Sequence, residues 1–332
     1  MNLMKILVTG AAGFIGSNFV RLILNKYPDY KIINMDKLTY AGNTENIKDL
    51  PSDRHITIFG EKGDICNIHN INNIFELYSP DCIVHFAAES HVDNSIGDSS
   101  EFVKTNVLGT DNLLKASLKY GIKRFIQIST DEVYGSLAHE DAPKKESDKL
   151  DPRSPYSASK TAAELLAYSY YVTHKLPVIV TRSSNNYGPY QHPEKLIPKF
   201  ITNLMQGKKL PLMGEGENIR DWLHVEDNCE AINLILHKGA IGEAYNIGAD
   251  NEKTNKDITL RLLRAFNVGE EMIHRIEHRK GHDFRYSIGS EKLMALGWQK
   301  KYADFDAGIQ QTIEWYKTNT TWWQPLLKDV KY

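Results

Sequence analysis

The chain has 332 residues, 41% hydrophobic and 25% charged, with a formal net charge of −2. That length supports a large core in one or two domains. The near-neutral charge, with Lys and Arg scattered, argues against a nucleic-acid surface, and no apolar run approaches the roughly 18 residues of a membrane span.

The opening residues Met1–Val8 run too soon into a glycine loop for a signal peptide. Lys5–Val8 reads as a buried strand, and Thr9-Gly10-Ala11-Ala12-Gly13-Phe14-Ile15-Gly16 follows it directly and opens a helix over Ile15–Lys26. GxxGxxG between a strand and a helix predicts a dinucleotide site. Glycines let the backbone approach a pyrophosphate, and the helix N-terminus offers free amides and the positive end of its dipole. Lys31–Met35 is the next strand, and Asp36 closes it, 20 residues past Gly16. A carboxylate there accepts hydrogen bonds from adenosine ribose hydroxyls and repels a 2′-phosphate, which favours NAD over NADP; neighbouring Lys37 works the other way. After the strand Thr57–Phe59, Asp64-Ile65 either borders the adenine or is an exposed turn. A helix over Ile68–Tyr78 and a strand over Cys82–Phe86 lead to Ala87-Ala88-Glu89, whose small residues let the backbone pass close to a cofactor.

A long helical pattern, Glu101–Tyr120, precedes the strand Arg124–Ser129 and then Thr130-Asp131-Glu132. Ser154-Pro155 suits a helix start, and it sets Tyr156 and Lys160 four residues apart on one helical face. A lysine ammonium beside a tyrosine hydroxyl favours the phenolate, which can take a proton from a sugar hydroxyl while hydride leaves. Two adjacent carboxylates, Asp131 and Glu132, exceed what simple alcohol oxidation needs. Val178–Thr181 is a further strand. Beyond about residue 183 prolines and glycines cluster through Tyr187–Pro198 and Leu210–Gly216, and helices follow at Asp257–Phe266 and Ala307–Thr318. The three cysteines, Cys66, Cys82 and Cys229, have no metal spacing and suggest reduced thiols in a cytoplasmic protein; no metal site is expected.

The alternation predicts an α/β fold: a Rossmann-type, doubly wound parallel sheet with a smaller, mixed C-terminal substrate domain. The expected division is 1–183 for the NAD-binding domain, with 224–250 returning to it through Val225–Lys238 and Ala244–Ile247. Residues 184–223 and 251–332 make the nucleotide-sugar domain. Apolar residues on more than one face of Glu101–Tyr120 and Ser157–Thr173, such as Val103, Val107, Leu165 and Leu166, ask for a partner.

Across nearly its full length the chain resembles the extended short-chain dehydrogenase/reductase family. The carrying segments are Asp36–Asn43, His85–Asp93, Ser129–Gly135, Ser183–Gln191, Pro193–Pro198, Arg220–Leu223 and Gly281–Asp283. The resemblance implies a dehydratase acting on dTDP-glucose. Oxidation at C4 acidifies the C5 proton, Glu132 removes it as base, Asp131 donates to the departing C6 hydroxyl, and hydride returns to C6. It assigns catalysis to Thr130, Asp131, Glu132, Tyr156 and Lys160. NAD contacts fall to Gly10, Gly13, Phe14, Ile15, Gly16, Asp36, Lys37, Leu38, Thr39, Asp64, Ile65, Ala87, Ala88, Glu89, Thr105 and Asn186, with Tyr156 and Lys160. Substrate contacts fall to Ser90, Thr130, Asn185, Glu194, Lys195, Leu196, Pro211, Arg220, Asn255, Arg279, His282 and Tyr286. It also implies a homodimer through a four-helix bundle. Ala11, Asn94, His278 and Gly289 depart from the usual pattern. Rival readings are an epimerase, a dehydratase of another nucleotide-sugar, and a non-catalytic NAD-binding sensor.

Overall fold

The chain is described by a computed structural model covering residues 4–277 and 283–329. Its first half alternates strand and helix: β1 (Lys5–Thr9), α1 (Phe14–Lys26), β2 (Lys31–Asp36), β3 (His55–Phe59), α2 (Ile68–Tyr78), β4 (Cys82–His85) and a short α3 (Val92–Gly97). Next comes one continuous rod, made of α4 (Ser100–Phe102), a π-helical stretch Val103–Gly109, and α5 (Thr110–Tyr120). The sequence pattern reads this rod as a uniform helix. Its π-helical middle lies where Gly109 passes so close that an added Cβ would sit 2.6 Å from Ile65 Cδ1. β5 (Arg124–Thr130), α6 (Pro155–His174), β6 (Val178–Ser183) and β7 (Asn185–Tyr187) follow. The remainder comprises α7 (Leu196–Met205), β8 (Leu210–Met213), β9 (Ile219–His224), α8 (Val225–Lys238), β10 (Ala244–Ile247), β11 (Glu252–Thr254), α9 (Asn255–Ala265), β12 (Ile273–Ile276), α10 (Glu291–Ala295), α11 (Phe305–Thr318) and α12 (Thr320–Trp323).

Seven strands form one sheet in the order β10-β6-β5-β4-β1-β2-β3, with every pairing parallel. Successive side chains leave opposite faces of a strand, so the apolar runs divide between two layers. Ile6 and Val8 of β1 pack with Phe19, Val20 and Ile23 of α1 and with Ile232 and Ile235 of α8. Leu7, between them, packs on the other face with Ile71 and Phe75 of α2 and Leu113 of α5. Each such buried side chain contributes about 1.5–3 kcal/mol. Strand order reverses at β1, which has β4 on one side and β2 on the other. The loops after β1 and β4 therefore diverge and leave a crevice at the carboxyl edge of the sheet.

A second body covers that edge. It holds a three-stranded sheet, β11-β9-β7, and a two-stranded one, β12-β8. Tyr187, Phe200, Ile201, Leu262, Ile309 and Tyr316 are among the residues of its separate core. Two stretches that read as irregular are regular here. Pro198 is the third residue of α7, where its missing N–H has no helical partner to lose. Pro211 lies in β8, which pairs with a single strand and tolerates a missing donor. Cys66, Cys82 and Cys229 are free thiols. Among the described residues no helix is long and apolar enough to cross a membrane.

Candidate active site

The crevice is lined from one end to the other by loops at strand ends. At its floor the glycine loop turns sharply from β1 into α1. Gly10 has φ +70, and a Cβ there would stand 2.6 Å from the Ala87 amide; a Cβ on Gly16 would stand 2.3 Å from Gly10 O. Only glycine permits this packing of loop on helix. The N-terminus of α1 has no side-chain cap and no acidic residue in its first turn. Its amides and dipole are thus available to a pyrophosphate, and Gly13, Phe14, Ile15 and Gly16 all line the crevice there.

Asp36, 7% exposed, reaches the same space from the end of β2. Its Oδ2 accepts from the Ala12 amide at 2.9 Å and its Oδ1 from the Leu38 amide at 2.8 Å. Burial pushes its carboxyl up, and the two amides oppose that. Each oxygen keeps a lone pair for a ribose hydroxyl. Lys37 pairs with Asp64 at 2.8 Å, so its charge is already answered within the chain. Lys37, Thr39, Asp64 and Ile65 line the crevice; Leu38 does not, its backbone being left-handed at φ 57. Across from them, Ala87, Ala88, Glu89, Ser90 and Thr105 form the opposite wall. Asn106, in the π-helical stretch, holds that wall in place. It accepts from the Glu89 amide (2.8 Å), donates to the Glu89 carbonyl (3.0 Å), and donates to Ser159 Oγ (2.8 Å). The residues therefore fit a bound dinucleotide.

At the centre, β5 delivers Thr130, and a tight turn Asp131–Tyr134 follows, capped by Thr130 Oγ1 accepting from the Glu132 amide at 3.3 Å. α6 begins with a capping box at Ser154 and Pro155 in its first turn, which fixes Tyr156 and Lys160 against that turn. Thr130, Asp131, Glu132, Tyr156 and Lys160 all line the same crevice. Lys160 is 5% exposed, and its ammonium donates to Ile128 O at 2.7 Å. Burial pulls its pKa down to about 8, with Glu164 opposing. Tyr156 is pushed up by burial and by the charges of Glu132 and Asp131, while the Thr130 hydroxyl works against them. Asp131 is held well above the usual carboxylate range by burial, then by Glu132 and Asp221, against the pull of Arg220. Its proton is thus held more tightly than that of an ordinary carboxyl, beside a second carboxyl group. Ser129, Asp131 and Asn185 line the crevice, and Ser129 Oγ, Asp131 Oδ2 and Asn185 Oδ1 are buried without a hydrogen-bond partner among the described residues, as polar groups that meet a ligand would be.

At the far end Asn185, Asn186, Glu194 and Lys195 line the crevice. Leu196 opens α7 and packs into the second core, Pro211 sits within β8, and Asn255 is the first residue of α9; none lines the crevice. Arg220 and Tyr286 are buried just outside it. The guanidinium lies 4.4 Å from the Tyr286 ring centre and donates to the Ile219, Asp283 and Phe284 carbonyls. Arg279, His282 and the departure at His278 lie outside the described residues. Sequence reasoning did not single out Asn46, Tyr190, His192 or Trp322, which also line the crevice. Trp322 Nε1 donates to Asn46 Oδ1 at 2.7 Å, and Asn46 Nδ2 donates to Ala12 O at 2.8 Å, a chain of contacts that no local motif announces.

Sheet, glycine loop, acidic strand end and Tyr–Lys helix together define a short-chain dehydrogenase/reductase of the extended kind. The chain belongs to the GDP-mannose 4,6 dehydratase family, whose sequence profile matches residues 7–312. It is 47% identical over 331 residues to a dTDP-glucose 4,6-dehydratase of Streptomyces antibioticus, covering 98% of this chain and 96% of that one. A dTDP-glucose 4,6-dehydratase from Bacillus anthracis, solved in complex with NAD, is 48% identical. It superposes with a TM-score of 0.90 over 97% of this chain and 99% of its own. The Streptomyces venezuelae dTDP-glucose 4,6-dehydratase, also solved with NAD bound, is 46% identical with a TM-score of 0.92, over 97% and 100% of the two chains.

Proposed function

We propose that this chain is an NAD-dependent dTDP-glucose 4,6-dehydratase, a hydro-lyase that forms dTDP-4-keto-6-deoxyglucose and water. The observation that carries the reading is the placement of two carboxyl groups, Asp131 and Glu132, in one crevice with Tyr156 and Lys160. NAD, when bound, supplies the hydride acceptor for C4 and later the donor for C6. The glycine loop, Asp36, the wall Ala87–Glu89, Tyr156 and Lys160 would hold it.

The chain's own groups move the protons. Tyr156 takes the proton of the sugar 4-hydroxyl, with Thr130 hydrogen-bonding near C4. Glu132 removes the C5 proton once C4 is a ketone. Asp131, whose burial favours its protonated form, gives its proton to the departing C6 hydroxyl. An epimerase needs no such pair, and a binding-only protein needs none of the four groups.

The nucleotide diphosphate would extend toward Asn185, Glu194 and Lys195, with Arg220, Asn255 and Tyr286 behind them. In this reading the larger body, 1–183 with 224–250, serves NAD, and the smaller body serves the nucleotide-sugar. The enzyme works as a cytoplasmic homodimer. Supporting the dimer is an apolar face on the paired rods of α4–α5 and α6, where Val103, Leu108, Leu165, Tyr168 and Val172 are exposed. The two rods are tied by the Tyr170 hydroxyl donating to Asp111 Oδ1 at 2.9 Å. Incubation of purified protein with dTDP-glucose in deuterated water, without added NAD, tests the activity. Loss of one water with one deuterium at C5 is expected. Reaction of UDP-glucose alone would overturn the substrate, and no reaction with any nucleotide-sugar, even with NAD, would overturn the enzyme. A monomer by light scattering at micromolar concentration would overturn the dimer.

A further inference from the structure

Behind the catalytic groups lies a buried polar network that the mechanism does not use. Arg182 sits on β6, in register with Ser129 of β5 on one side and Asn246 of β10 on the other, and is 7% exposed. Its guanidinium forks in two directions. Nε and Nη2 donate to the two carboxylate oxygens of Glu164 at 3.2 and 2.7 Å. Nη1 donates to the Tyr134 hydroxyl at 2.6 Å and to the Glu146 carbonyl at 3.1 Å, and the guanidinium carbon lies 4.9 Å from the Tyr134 ring centre. The Tyr134 hydroxyl donates onward to Asn246 Oδ1 at 2.9 Å. Asn246 is itself pinned, its Nδ2 on the Lys144 carbonyl at 3.0 Å and its amide on Glu146 Oε1 at 2.9 Å. Glu164 is 2% exposed, Tyr134 3% and Asn246 0%, so the groups the guanidinium ties together are buried, with Glu146 half-buried at the edge of the network.

The two ends of this fork belong to the two catalytic pairs. Glu164 stands one helical turn beyond Lys160 and two beyond Tyr156, on the same face of α6. Tyr134 is the last residue of the turn that begins with Asp131 and Glu132. A buried ion pair adds little net stability over a well-packed apolar one, because desolvation offsets the attraction. What a rigid, bidentate guanidinium does supply is fixed geometry.

We propose that Arg182 is a positioning residue that holds the two catalytic pairs in register. Through Glu164 it sets the helix that carries Tyr156 and Lys160, and through Tyr134 it sets the turn that carries Asp131 and Glu132. This inference rests on the dehydratase reading above. It predicts a separable pattern: each partner serves one half of the reaction, and Arg182 serves both.

Two assays isolate the halves. dTDP-6-deoxyglucose has no C6 hydroxyl to lose. In one turnover it can only give hydride from C4 to bound NAD and a proton to Tyr156, read as reduced-nicotinamide absorbance. Exchange of the C5 proton of dTDP-4-keto-6-deoxyglucose in deuterated water needs Glu132 and no redox step. Tyr134→Phe should slow the exchange by about 10-fold or more and leave oxidation within about 2-fold. Glu164→Gln should do the reverse. Arg182→Lys keeps the charge but loses the fork and should slow both by about 10- to 100-fold, the scale of an ångström-sized misplacement. In Glu164→Gln the alkaline limb of the oxidation rate should also move to lower pH. Lys160 there loses the carboxylate that favours its charged form, while the other titratable groups near it, Tyr156 on α6 and His85 on β4, are unchanged. Wild-type rates in Arg182→Lys would overturn the proposal. So would equal slowing of both assays in each of Tyr134→Phe and Glu164→Gln, the mark of general loosening. Should Arg182→Lys fail to fold, those two variants decide the matter alone. Failure of the wild-type enzyme to dehydrate dTDP-glucose would strike the parent reading instead.

Discussion

Replacing Lys160 with methionine should make the protein inactive and, near neutral pH, relatively more stable. The ammonium is enclosed and donates to Ile128 O. Its pKa falls from the ordinary 10.5 to about 8, with burial as the main cause. At about 1.4 kcal/mol per pKa unit, the folded protein bears about 3 kcal/mol for keeping that charge at pH values below its folded pKa. The sign follows from proton uptake. Between about pH 8 and 10.5 the unfolded chain binds the proton and the folded chain does not, so wild-type stability gains from this group as pH rises. Methionine has no such dependence. The lost hydrogen bond, about 1 kcal/mol, is a constant offset. The stability of Lys160→Met relative to wild type should therefore decline by about 2 kcal/mol between about pH 7 and pH 9.5. Urea unfolding of both proteins at the two pH values, without added ligand, measures it. A difference that stays constant with pH would refute the reasoning, since the buried charge would then be fully compensated by groups that do not titrate.

Asp131→Asn should slow dehydration of dTDP-glucose by about 10²- to 10⁴-fold, the range for a lost general acid, while the variant still oxidises dTDP-6-deoxyglucose in stopped-flow. In the wild type the dehydration rate should fall on the alkaline side as Asp131 loses its proton through a raised pKa. Asp36→Asn should weaken NAD binding by about 10-fold and narrow the preference against NADP, read by fluorescence titration, because a neutral amide no longer repels a 2′-phosphate. Gly16→Ala would place a methyl 2.3 Å from Gly10 O, against backbone that cannot swing away. It should destabilise by about 1–3 kcal/mol and abolish NAD retention in the purified protein.

How much could be read in advance depended on the range of the contacts. The glycine loop, Asp36 and the Tyr156–Lys160 helix are written in spacings of a few residues, and strand or helix periodicity carries them into place. Asp131 is recognisable as a carboxyl group beside Glu132, but its upward shift comes first from burial in the fold and, after Glu132, from Asp221, which β9 brings in from 90 positions away. The Lys37–Asp64 pair answers a question the sequence leaves open: the cation beside Asp36 is neutralised by a carboxylate from the turn after β3. Arg220 stands among the substrate contacts that the family resemblance implies. In the fold it donates to the carbonyls of Ile219, Asp283 and Phe284, which no periodicity encodes. Helix α7 was hidden by a proline that first-turn geometry makes harmless.

The indole of Trp322 closes one wall of the cofactor crevice through Asn46, 276 positions earlier in the chain. On the ribosome the glycine loop, Asp36 and the Tyr–Lys helix emerge first and can begin to fold as strands become available. The wall that Trp322 completes must wait for almost all the described chain to clear the exit tunnel. Until Trp322 has emerged, that wall of the crevice lacks its indole, so the completed crevice is a late product of translation even though its glycine loop is an early one.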